Sequence, residues 1–312
     1  MKNIHTPKLA LIALSLCSLA ACKKEQASQI DPVASLYSNT QVVSNAEYIT
    51  IDSIKLHLDA YVPTARLGEP PWNQYSEQRK PTLLFLHGGG WRSGDKVSRS
   101  LFLMPYVSRG WAVVTANYRH LDQTSLVGII RDSRSALNWI YDNANKYKFD
   151  TTKIVVSGES AGGHLALMTG LASDENLFSQ GNIPSGRKLK VAAVVNWFGV
   201  CDLVKASAEW EADYLQEVVP NPSERDSILR VASPVNYLTK SSVPVMTIHG
   251  DQDSSAPYAQ SVLLHDKLNS LGVKNFFLTI PGKKHGNFDG QEMTKIYHET
   301  WKFLNGVGVD VE

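Results

Sequence analysis

The chain is poor in cysteine, and charge of one sign accumulates nowhere along it. Its 312 residues contain 3 cysteines, and 31 basic side chains almost balance 30 acidic ones, for a net charge of +1. Without a basic block, the sequence carries no electrostatic footprint for nucleic acid, so small or neutral partners are favoured. The hydrophobic content of 43% is enough for one large α/β domain or for two small domains.

The N-terminal residues predict a targeting segment. A positively charged start leads into an apolar stretch at 9–16, which is too short to cross a bilayer. It is followed by Leu-Ala-Ala-Cys at 19–22, which resembles the lipoprotein signal of bacteria. We therefore expect residues 1–21 to be a signal peptide and Cys22 to carry a lipid that anchors an exported protein in the cell envelope. The alternatives are an ordinary secretory signal and a start of chain with no processing.

The rest of the chain divides into a tether, a folded domain and a tail. Residues 22–45 are polar with little periodicity and predict a tether, 46–306 predict the folded domain, and 307–312 predict a tail. Cys201 is then the one thiol of the folded part, so no internal disulfide forms and the hydrophobic core must stabilise the fold. No activating pattern surrounds Cys201, which disfavours it as a nucleophile.

Apolar runs and helical patterns alternate from Tyr48 onward. Alternating side chains around a turn at 52–53 predict an antiparallel hairpin, and 63–80 predict a surface loop. Further strands are predicted at Thr82–Leu86, Trp111–Thr115, Lys153–Ser157, Val191–Asn196, Val243–Ile248 and Asn275–Ile280, and helices near Ser98–Arg109, Ser125–Tyr147, Ser160–Ala172, Tyr258–Leu271 and Glu292–Leu304. This order predicts an α/β fold whose mostly parallel sheet is covered on both faces.

One predicted connection is unusually long. Residues 197–242 separate two predicted strands, and a connection of this length is rarely bare. We expect it to carry a small helix and to cover the carboxyl ends of the strands, where active sites of open α/β sheets lie.

The most informative motif is Gly-Glu-Ser-Ala-Gly-Gly at 158–163, directly after the apolar run 154–156. A Gly-x-Ser-x-Gly between a buried strand and a helix predicts a nucleophile elbow, in which a sharp turn exposes Ser160 at the top of the sheet. Glycines flank the serine because its strained backbone leaves no room for side chains. Composition alone produces the motif about once in ten chains of this size. Whether Ser160 is a nucleophile therefore depends on finding a base, an acid and oxyanion donors elsewhere in the sequence.

A nucleophilic serine needs a base to take its proton and a carboxylate to orient that base. His285 follows the last predicted strand and is the predicted base, because the acid and then the histidine should come downstream of Ser160. For the acid, Asp253 is preferred over Asp251, which lies so close to its strand that we expect it to stabilise the turn. Asp202 follows an earlier strand and stays open as a third candidate.

Other histidines have structural interpretations. His87 and His249 each end a predicted strand, and we expect them to hold loops by hydrogen bonds. His164 lies one turn into the helix after Ser160, where it cannot swing back over the hydroxyl.

Acyl transfer also needs N–H donors for the oxyanion of the tetrahedral intermediate. The backbone N–H of Ala161 is the first predicted donor, and the loop His-Gly-Gly-Gly-Trp at 87–91 is placed to supply the second. A glycine-rich turn without a role is the alternative. A phosphate loop is excluded because no Lys followed by Ser or Thr comes after the glycines and no helix opens at once.

Four motifs together resemble the α/β-hydrolases of the esterase and lipase type. They are His-Gly-Gly-Gly-Trp at 87–91, Asn-Tyr-Arg at 117–119, the serine motif at 158–166 and His-Gly-Asp-Gln-Asp at 249–253. They are similar to the feruloyl-esterase-like and hormone-sensitive-lipase-like branches, over about 46–306. A hairpin stands where the lipase-like branch has a helical cap, and its Asp-Pro-Leu segment is absent, so the feruloyl-esterase-like group is favoured.

The resemblance also implies roles for individual residues. In related families the acid is the aspartate four residues after the histidine of a strand-ending His-Gly, which implies Asp253 here, and the base is His285. The oxyanion glycines correspond to Gly89 and Gly90. The implied activity is that of a serine carboxylic-ester hydrolase without metal or cofactor, with Ser160 as nucleophile.

The substrate is less constrained by the sequence. Export together with the resemblance suggests short-chain or carbohydrate-linked acyl esters, of the acetyl or feruloyl type. Trp91, Trp197 and Phe198 are candidates for the substrate pocket, as is Trp210, although each also fits an ordinary core. An arylformamidase-type amide hydrolase and a non-catalytic binding protein on a hydrolase scaffold are the alternatives. A peptidase is disfavoured because related exopeptidases carry a large extra domain.

Overall fold

The computed structural model describes residues 39–64, 77–173 and 175–309. The predicted signal peptide, Cys22 and most of the predicted tether lie outside the described residues, as does most of the predicted loop at 63–80. Export and lipidation therefore stay predictions. Across the described ranges, no helix combines the length and the apolar character needed to cross a membrane.

The elements within these ranges follow in chain order. The strands are β1 Thr40–Ile51, β2 Ile54–Pro63, β3 Lys80–Leu86, β4 Ala112–Ala116, β5 Phe149–Glu159, β6 Ala193–Trp197, β7 Val245–Gly250 and β8 Asn275–Ile280. The α-helices are α1 Met104–Ser108, α2 Leu126–Asp142, α3 Ala144–Tyr147, α4 Ala161–Leu171, α5 Leu203–Ala206, α6 Ala212–Val218, α7 Arg225–Val231, α8 Ala259–Ser270 and α9 Gly290–Gly306. Short 3-10 turns occur at Leu101–Leu103, Asn176–Phe178, Ser207–Glu209, Pro222–Glu224 and Pro234–Tyr237.

All strands belong to one sheet in the order β1-β2-β4-β3-β5-β6-β7-β8. β1 pairs antiparallel with β2, and β2 pairs antiparallel with β4. From β4 through β8 every pairing is parallel. The predicted fold, a mostly parallel sheet with an antiparallel hairpin at its front, is confirmed.

Side chains along the central strands alternate between two hydrophobic cores. Leu84 and Val156 belong to the core under α2, α4 and α8, whereas Phe85 and Val155 belong to the core under α1 and α9. Because successive residues of a strand point to opposite faces, a strand covered by helices on both sides must be apolar at nearly every position. This is why the strands appear in the sequence as continuous apolar runs.

Element bounds differ from the predicted ones where local contacts override the pattern. β1 begins at Thr40, before the predicted domain boundary at 46, because it pairs with β2 as far as Pro63. The helix predicted over 98–109 is shorter, since Asp95 accepts hydrogen bonds from the N–H groups of Val97 and Ser98 and holds a turn there. The helix predicted over 125–147 is interrupted at Asn143.

The long connection after β6 carries more helix than expected. The sequence predicts a small helix within 197–242, and the structure has α5, α6 and α7 there, with 3-10 turns between them. Trp210 and Tyr214 of this segment line a cavity together with Ser160, so the segment covers the carboxyl end of the sheet there.

Glycines allow α4 to lie almost on the backbone of the sheet. A Cβ added to Gly162 would lie 2.1 Å from Leu86 O, and one added to Gly158 would lie 2.3 Å from Gly162 O. No carbon atom approaches a backbone oxygen this closely, so the contact between α4, β3 and β5 requires glycine at both positions.

We predict that Gly162→Ala lowers the free energy of unfolding by about 2 kcal/mol, because the overpacking cost exceeds the ~1 kcal/mol gained in helix propensity. Gly290→Ala is the matched control, since it also lies in a helix and a Cβ there would meet nothing within 4 Å. Urea unfolding of both variants checks this. Equal stability of the two would contradict the packing argument.

Candidate active site

The predicted nucleophile, acid and base converge at one edge of the sheet. Ser160 follows the end of β5, Asp253 lies just beyond β7, and His285 lies just beyond β8. Because β5 and β7 both run parallel to β6, and β8 runs parallel to β7, their carboxyl ends meet at the same edge. The glycine loop at 87–91 follows β3 and reaches that edge as well.

Ser160 lies in a strained turn between β5 and α4. Its φ is 54° and its ψ is −120°, a combination that side-chain-bearing residues rarely adopt. The N–H of Ser160 donates to Trp197 O at 2.8 Å, which extends the β5–β6 pairing across the turn. Strain of this kind persists only where the surrounding structure over-determines it, and here it presents the hydroxyl above the sheet.

A continuous hydrogen-bonded path leads from the acid to the hydroxyl. Asp253 Oδ2 accepts from His285 Nδ1 at 2.7 Å, and His285 Nε2 lies 2.9 Å from Ser160 Oγ. The carboxylate can only accept, so the proton of the neutral imidazole is on Nδ1 and Nε2 is the acceptor for the hydroxyl. This is the arrangement in which a histidine removes the proton of an attacking serine.

The Asp253 carboxylate is buried and fully hydrogen-bonded. Its side chain is 0% exposed, Oδ1 accepts from the N–H groups of Ser255 at 2.8 Å and Ala256 at 3.0 Å, and Oδ2 also lies 3.0 Å from His249 Nε2. Burial raises the pKa of this carboxyl, but the hydrogen bonds from His249, His285 and Ala256 outweigh burial and hold the pKa well below its usual range. Asp253 is therefore ionised at neutral pH.

The other acid candidates have structural roles. Asp251 Oδ1 accepts from the N–H of Gly282 at 2.6 Å and so ties the loop after β7 to the loop after β8. Asp202 caps α5, where its carboxylate accepts from the N–H of Lys205 at 3.1 Å. Of the three acids considered, the structure brings Asp253 to His285.

His87 and His164 each contact a backbone carbonyl. His87 Nδ1 lies 2.8 Å from Gly88 O, and the His87 ring stacks on Tyr118 with centroids 4.2 Å apart. His164 is buried and its Nε2 lies 2.7 Å from Ala232 O, away from the serine hydroxyl. Burial lowers the pKa of His164 to about 4, so this ring is neutral at neutral pH.

The glycine loop has the shape of a nest of backbone N–H groups. Gly89, Gly90 and Trp91 have positive φ values of 122°, 60° and 59°. The Gly89 carbonyl accepts from the N–H groups of Arg92 at 3.0 Å and Ser93 at 3.1 Å, which turns it away from the loop interior. Gly90 and Ala161, two of the predicted oxyanion donors, line one small cavity beside Ser160.

The Asn-Tyr-Arg motif after β4 anchors this loop. The Tyr118 hydroxyl donates to His87 O at 2.8 Å. Arg119 makes a buried bidentate ion pair with Asp132 of α2, with both N···O distances 2.8 Å. Asn117 Oδ1 accepts from the N–H of Lys96 at 2.6 Å, so the loop is held from both ends.

Two cavities lie beside Ser160, and Gly90 and Phe198 line both of them. The smaller, of about 50 Å³, is lined by Ser160 with Gly90, Trp91, Ala161, Phe198, Val200, Trp210, Tyr214, Ser255 and Ala256. The larger, of about 280 Å³, is lined by Ser160 with Gly88, Gly89, Gly90, Arg99, Glu159, Phe198 and His285. His285 therefore borders the larger cavity and not the smaller one.

Only some of the residues predicted to bind the substrate line these cavities. Trp91 lines the smaller cavity and Phe198 lines both. The centroids of the Phe198 and His285 rings are 4.6 Å apart. Trp197 lines neither, which corrects the expectation for this residue. Its ring lies in the core beside Phe102, with centroids 5.0 Å apart, because strand alternation directs it to the face opposite Asn196.

Sequence reasoning missed several residues of the site. Tyr214 lines the small cavity from α6, and its only sequence signal is its place among the aromatic residues of the long connection. Glu159, inside the serine motif, makes an ion pair with Arg99 at 2.8 Å beside the larger cavity. Arg99 lies in a loop that no motif singled out.

Chemically, the arrangement joins a nucleophile, its base, an ionised acid and backbone donors around one reacting position, which are the groups needed for attack on an acyl carbon.

Cys201 takes no part, since burial raises the pKa of its thiol far above the ordinary value. Within 39–64, 77–173 and 175–309, no group of three or more His, Cys, Asp or Glu side chains is placed to hold a metal ion.

Comparisons with known proteins agree with this geometry. Esterase LipC of Mycobacterium tuberculosis is 29% identical over 236 residues, which cover 73% of this chain and 58% of LipC. The chain spans about half the length of the curated relatives it matches.

Solved structures share the fold across nearly the full length of the domain. A thermophilic esterase of Thermogutta terrifontis has a TM-score of 0.72 at 22% identity, covering 88% of this chain and 94% of that one. A truncated carbohydrate esterase from gut microbiota has a TM-score of 0.71 at 25% identity, covering 86% of this chain and 97% of that one. The BD-FAE family model matches residues 71–268, more than half of the chain. With its α/β-hydrolase fold, this chain belongs to the BD-FAE family.

Proposed function

We propose that the protein is a serine carboxylic-ester hydrolase that removes short acyl groups from polar, carbohydrate-like alcohols. The observation that carries the proposal is the unbroken path from Asp253 through His285 to Ser160, with distances of 2.7 Å and 2.9 Å. This path ends where Gly90 and Ala161 line the same cavity as the hydroxyl. The LipC relative is an esterase and the similar structure from gut microbiota is a carbohydrate esterase, which supports the proposal.

Acylation follows from the hydrogen bonds of the site. Ser160 Oγ attacks the acyl carbon while its proton passes to His285 Nε2, and the carbonyl electron pair moves onto oxygen. The N–H groups of Gly90 and Ala161 stabilise that oxyanion, each by about 3–4 kcal/mol. The intermediate then collapses, the ester C–O bond breaks, and His285 gives its proton to the departing alcohol oxygen.

Deacylation repeats the sequence with water in place of the alcohol. Water attacks the acyl carbon and passes a proton to His285 Nε2, and the tetrahedral intermediate expels Ser160 Oγ, which recovers a proton from His285. Asp253, ionised and hydrogen-bonded, holds the Nδ1 proton of His285 and stabilises the imidazolium formed in each half-reaction.

The position of His285 assigns the two cavities. As general acid, His285 must reach the leaving oxygen, so the alcohol occupies the cavity that His285 borders. The acyl group then enters the other, which has a volume of about 50 Å³. That space holds only a few non-hydrogen atoms, since each water-sized group needs about 10–15 Å³ of such a cavity. An acetyl-sized group fits, and a feruloyl group on the acyl side does not.

The alcohol side favours a polar leaving group. It has about 280 Å³ and presents backbone of the glycine loop together with the Glu159–Arg99 ion pair. The Arg99 guanidinium side chain is 45% exposed, so its remaining donors reach solvent where hydroxyl groups of a sugar would lie.

An arylformamidase-type reaction is the second candidate, because a formyl group is even smaller than acetyl and suits the small cavity. The same serine path would serve an amide. Turnover of N-formylkynurenine measured beside that of acetyl esters separates the two.

We predict that Ser160→Ala lowers kcat/KM on p-nitrophenyl acetate by about 10³-fold or more, because the nucleophile is lost. Ser157→Ala is the matched control, because Ser157 is a buried serine of β5 whose hydroxyl donates to Val195 O. A fluorophosphonate probe should label the wild type and the control but not Ser160→Ala. Turnover that survives the Ser160 substitution would exclude this mechanism and favour a binding protein.

We predict that the wild type prefers acetyl over butyryl esters by about tenfold or more, since each methylene that does not fit costs roughly 1–3 kcal/mol. Tyr214→Ala should widen the small cavity and raise butyryl turnover relative to acetyl. Tyr237→Ala, from the same connection but outside both cavities, should leave the ratio unchanged. A wild type that prefers octanoyl esters would refute the acyl assignment alone.

The lowered pKa of Asp253 predicts a pH dependence of stability. An Asp in the unfolded chain titrates near pH 4, and the folded pKa of Asp253 is lower. Its ionised form therefore stabilises the fold fully above about pH 5, and this contribution is lost as pH falls through the folded pKa. The difference in unfolding free energy between wild type and Asp253→Asn should shrink as the pH falls from about 5 towards the folded pKa. Chemical unfolding across that range checks it, and a difference that grows in acid would contradict it.

A further inference from the structure

A second histidine shares the acid of the site. His249, at the end of β7, has a side chain that is 0% exposed, and its Nε2 lies 3.0 Å from Asp253 Oδ2. The same oxygen accepts from His285 Nδ1 at 2.7 Å. Asp253 thus lies between two imidazoles, one buried in the fold and one facing the serine hydroxyl.

The partners of His249 determine which of its nitrogens carries the proton. Nε2 faces two groups that can only accept, Asp253 Oδ2 and the carbonyl of Ala256 at 2.9 Å, so Nε2 is the donor. Nδ1 lies 2.7 Å from the Ser261 hydroxyl, which has one proton to donate to it. Ser261 is itself buried at the start of α8, so its hydroxyl ties the Nδ1 side of the ring to that helix.

We propose that His249 is a positioning residue, which anchors the Asp253 carboxylate so that its Oδ2 meets His285 in the orientation that leaves His285 Nε2 free for Ser160. This inference rests on the proposed serine mechanism. It assigns to His249 a task beyond the loop-holding role that its place in the sequence suggests.

The two histidines that bond Asp253 differ in how far they are buried. His285 is 28% exposed and is followed by Gly286 and Asn287 with positive φ values of 74° and 58°. His249 is fixed between a sheet strand and α8. The rotation of the carboxylate is therefore limited from the buried side, by His249 on Oδ2 and by backbone N–H groups on Oδ1.

The extra donor also affects where the proton resides during the reaction. When His285 becomes imidazolium, its Nδ1 proton faces Asp253 Oδ2, and each hydrogen bond to the carboxylate favours its charged form. The N–H of His249 therefore keeps the proton on His285, from which Nε2 can deliver it to the leaving oxygen.

The test compares substitutions that keep or remove the donor. His249→Leu fills the site without a donor, whereas the amide nitrogen of His249→Gln reaches about the place of the imidazole Nε2. We expect His249→Leu to lower kcat by about 10- to 100-fold, as for outer partners that orient a functional histidine. KM should be unchanged, because His249 lines neither cavity. His249→Gln should recover most of kcat.

His265→Leu is the matched control, a buried histidine of α8 whose Nδ1 bonds the Asn275 side chain at 2.7 Å, away from the site. It should change thermal stability without changing kcat. The rate at which a fluorophosphonate labels Ser160 is a second readout that needs no ester substrate. It should fall in His249→Leu and recover in His249→Gln.

Two results would overturn the proposal. One is equal loss in His249→Leu and His249→Gln, which would show a packing role, and the other is equal kcat and labelling rate in His249→Leu and the wild type. If His249→Leu does not fold, Ser261→Ala replaces it, since loss of the donor to Nδ1 frees the ring, and we expect a severalfold fall in labelling rate. A wild type labelled at Ser160 that cleaves no ester would refute the proposed function while leaving the His249 comparison intact.

Discussion

The hydrogen bond from the N–H of Ser160 to Trp197 O, at 2.8 Å, is the contact on which the site depends. It extends the β5–β6 pairing into the turn, where Ser160 takes a φ of 54°. The chain can turn there only because Gly158 and Gly162 leave room for α4 against β3 and β5. Backbone pairing and close helix packing together therefore present the serine hydroxyl above the sheet.

Around that hydroxyl, the acid is buried and the base is partly exposed. The Asp253 carboxylate accepts from backbone N–H groups on one oxygen and from His249 and His285 on the other. Such complete satisfaction keeps a buried carboxylate charged, which burial alone would prevent. His285, which is 28% exposed, is the group that transfers protons in the proposed mechanism, and the groups behind it are buried.

The two cavities beside Ser160 differ in part of their lining. Glu159 and Arg99 line only the larger one, whereas Trp210 and Tyr214, from the connection after β6, line only the smaller one. Connections of this kind vary more readily than strands, because they carry few of the contacts that hold the sheet. Under the proposed assignment of the cavities, acyl size therefore depends on a segment that supplies no member of the path from Asp253 to Ser160.

Chain order and strand pattern were enough to predict the sheet, the turn at Ser160 and the choice of Asp253 and His285, because each of these depends on local pattern and on which residues follow strand ends. Three features were decided by tertiary structure. Trp197, the last residue of β6, packs in the core and lines neither cavity, whereas Phe198, just beyond the strand with a positive φ of 42°, lines both. β1 starts at Thr40 because it pairs with β2. His249 meets Asp253 and Ser261 only when β7 packs against α8. The sequence by itself determined which groups stand at the strand ends, and only the packing of distant elements decided which side chains face one another there, since such contacts join residues that no local pattern relates.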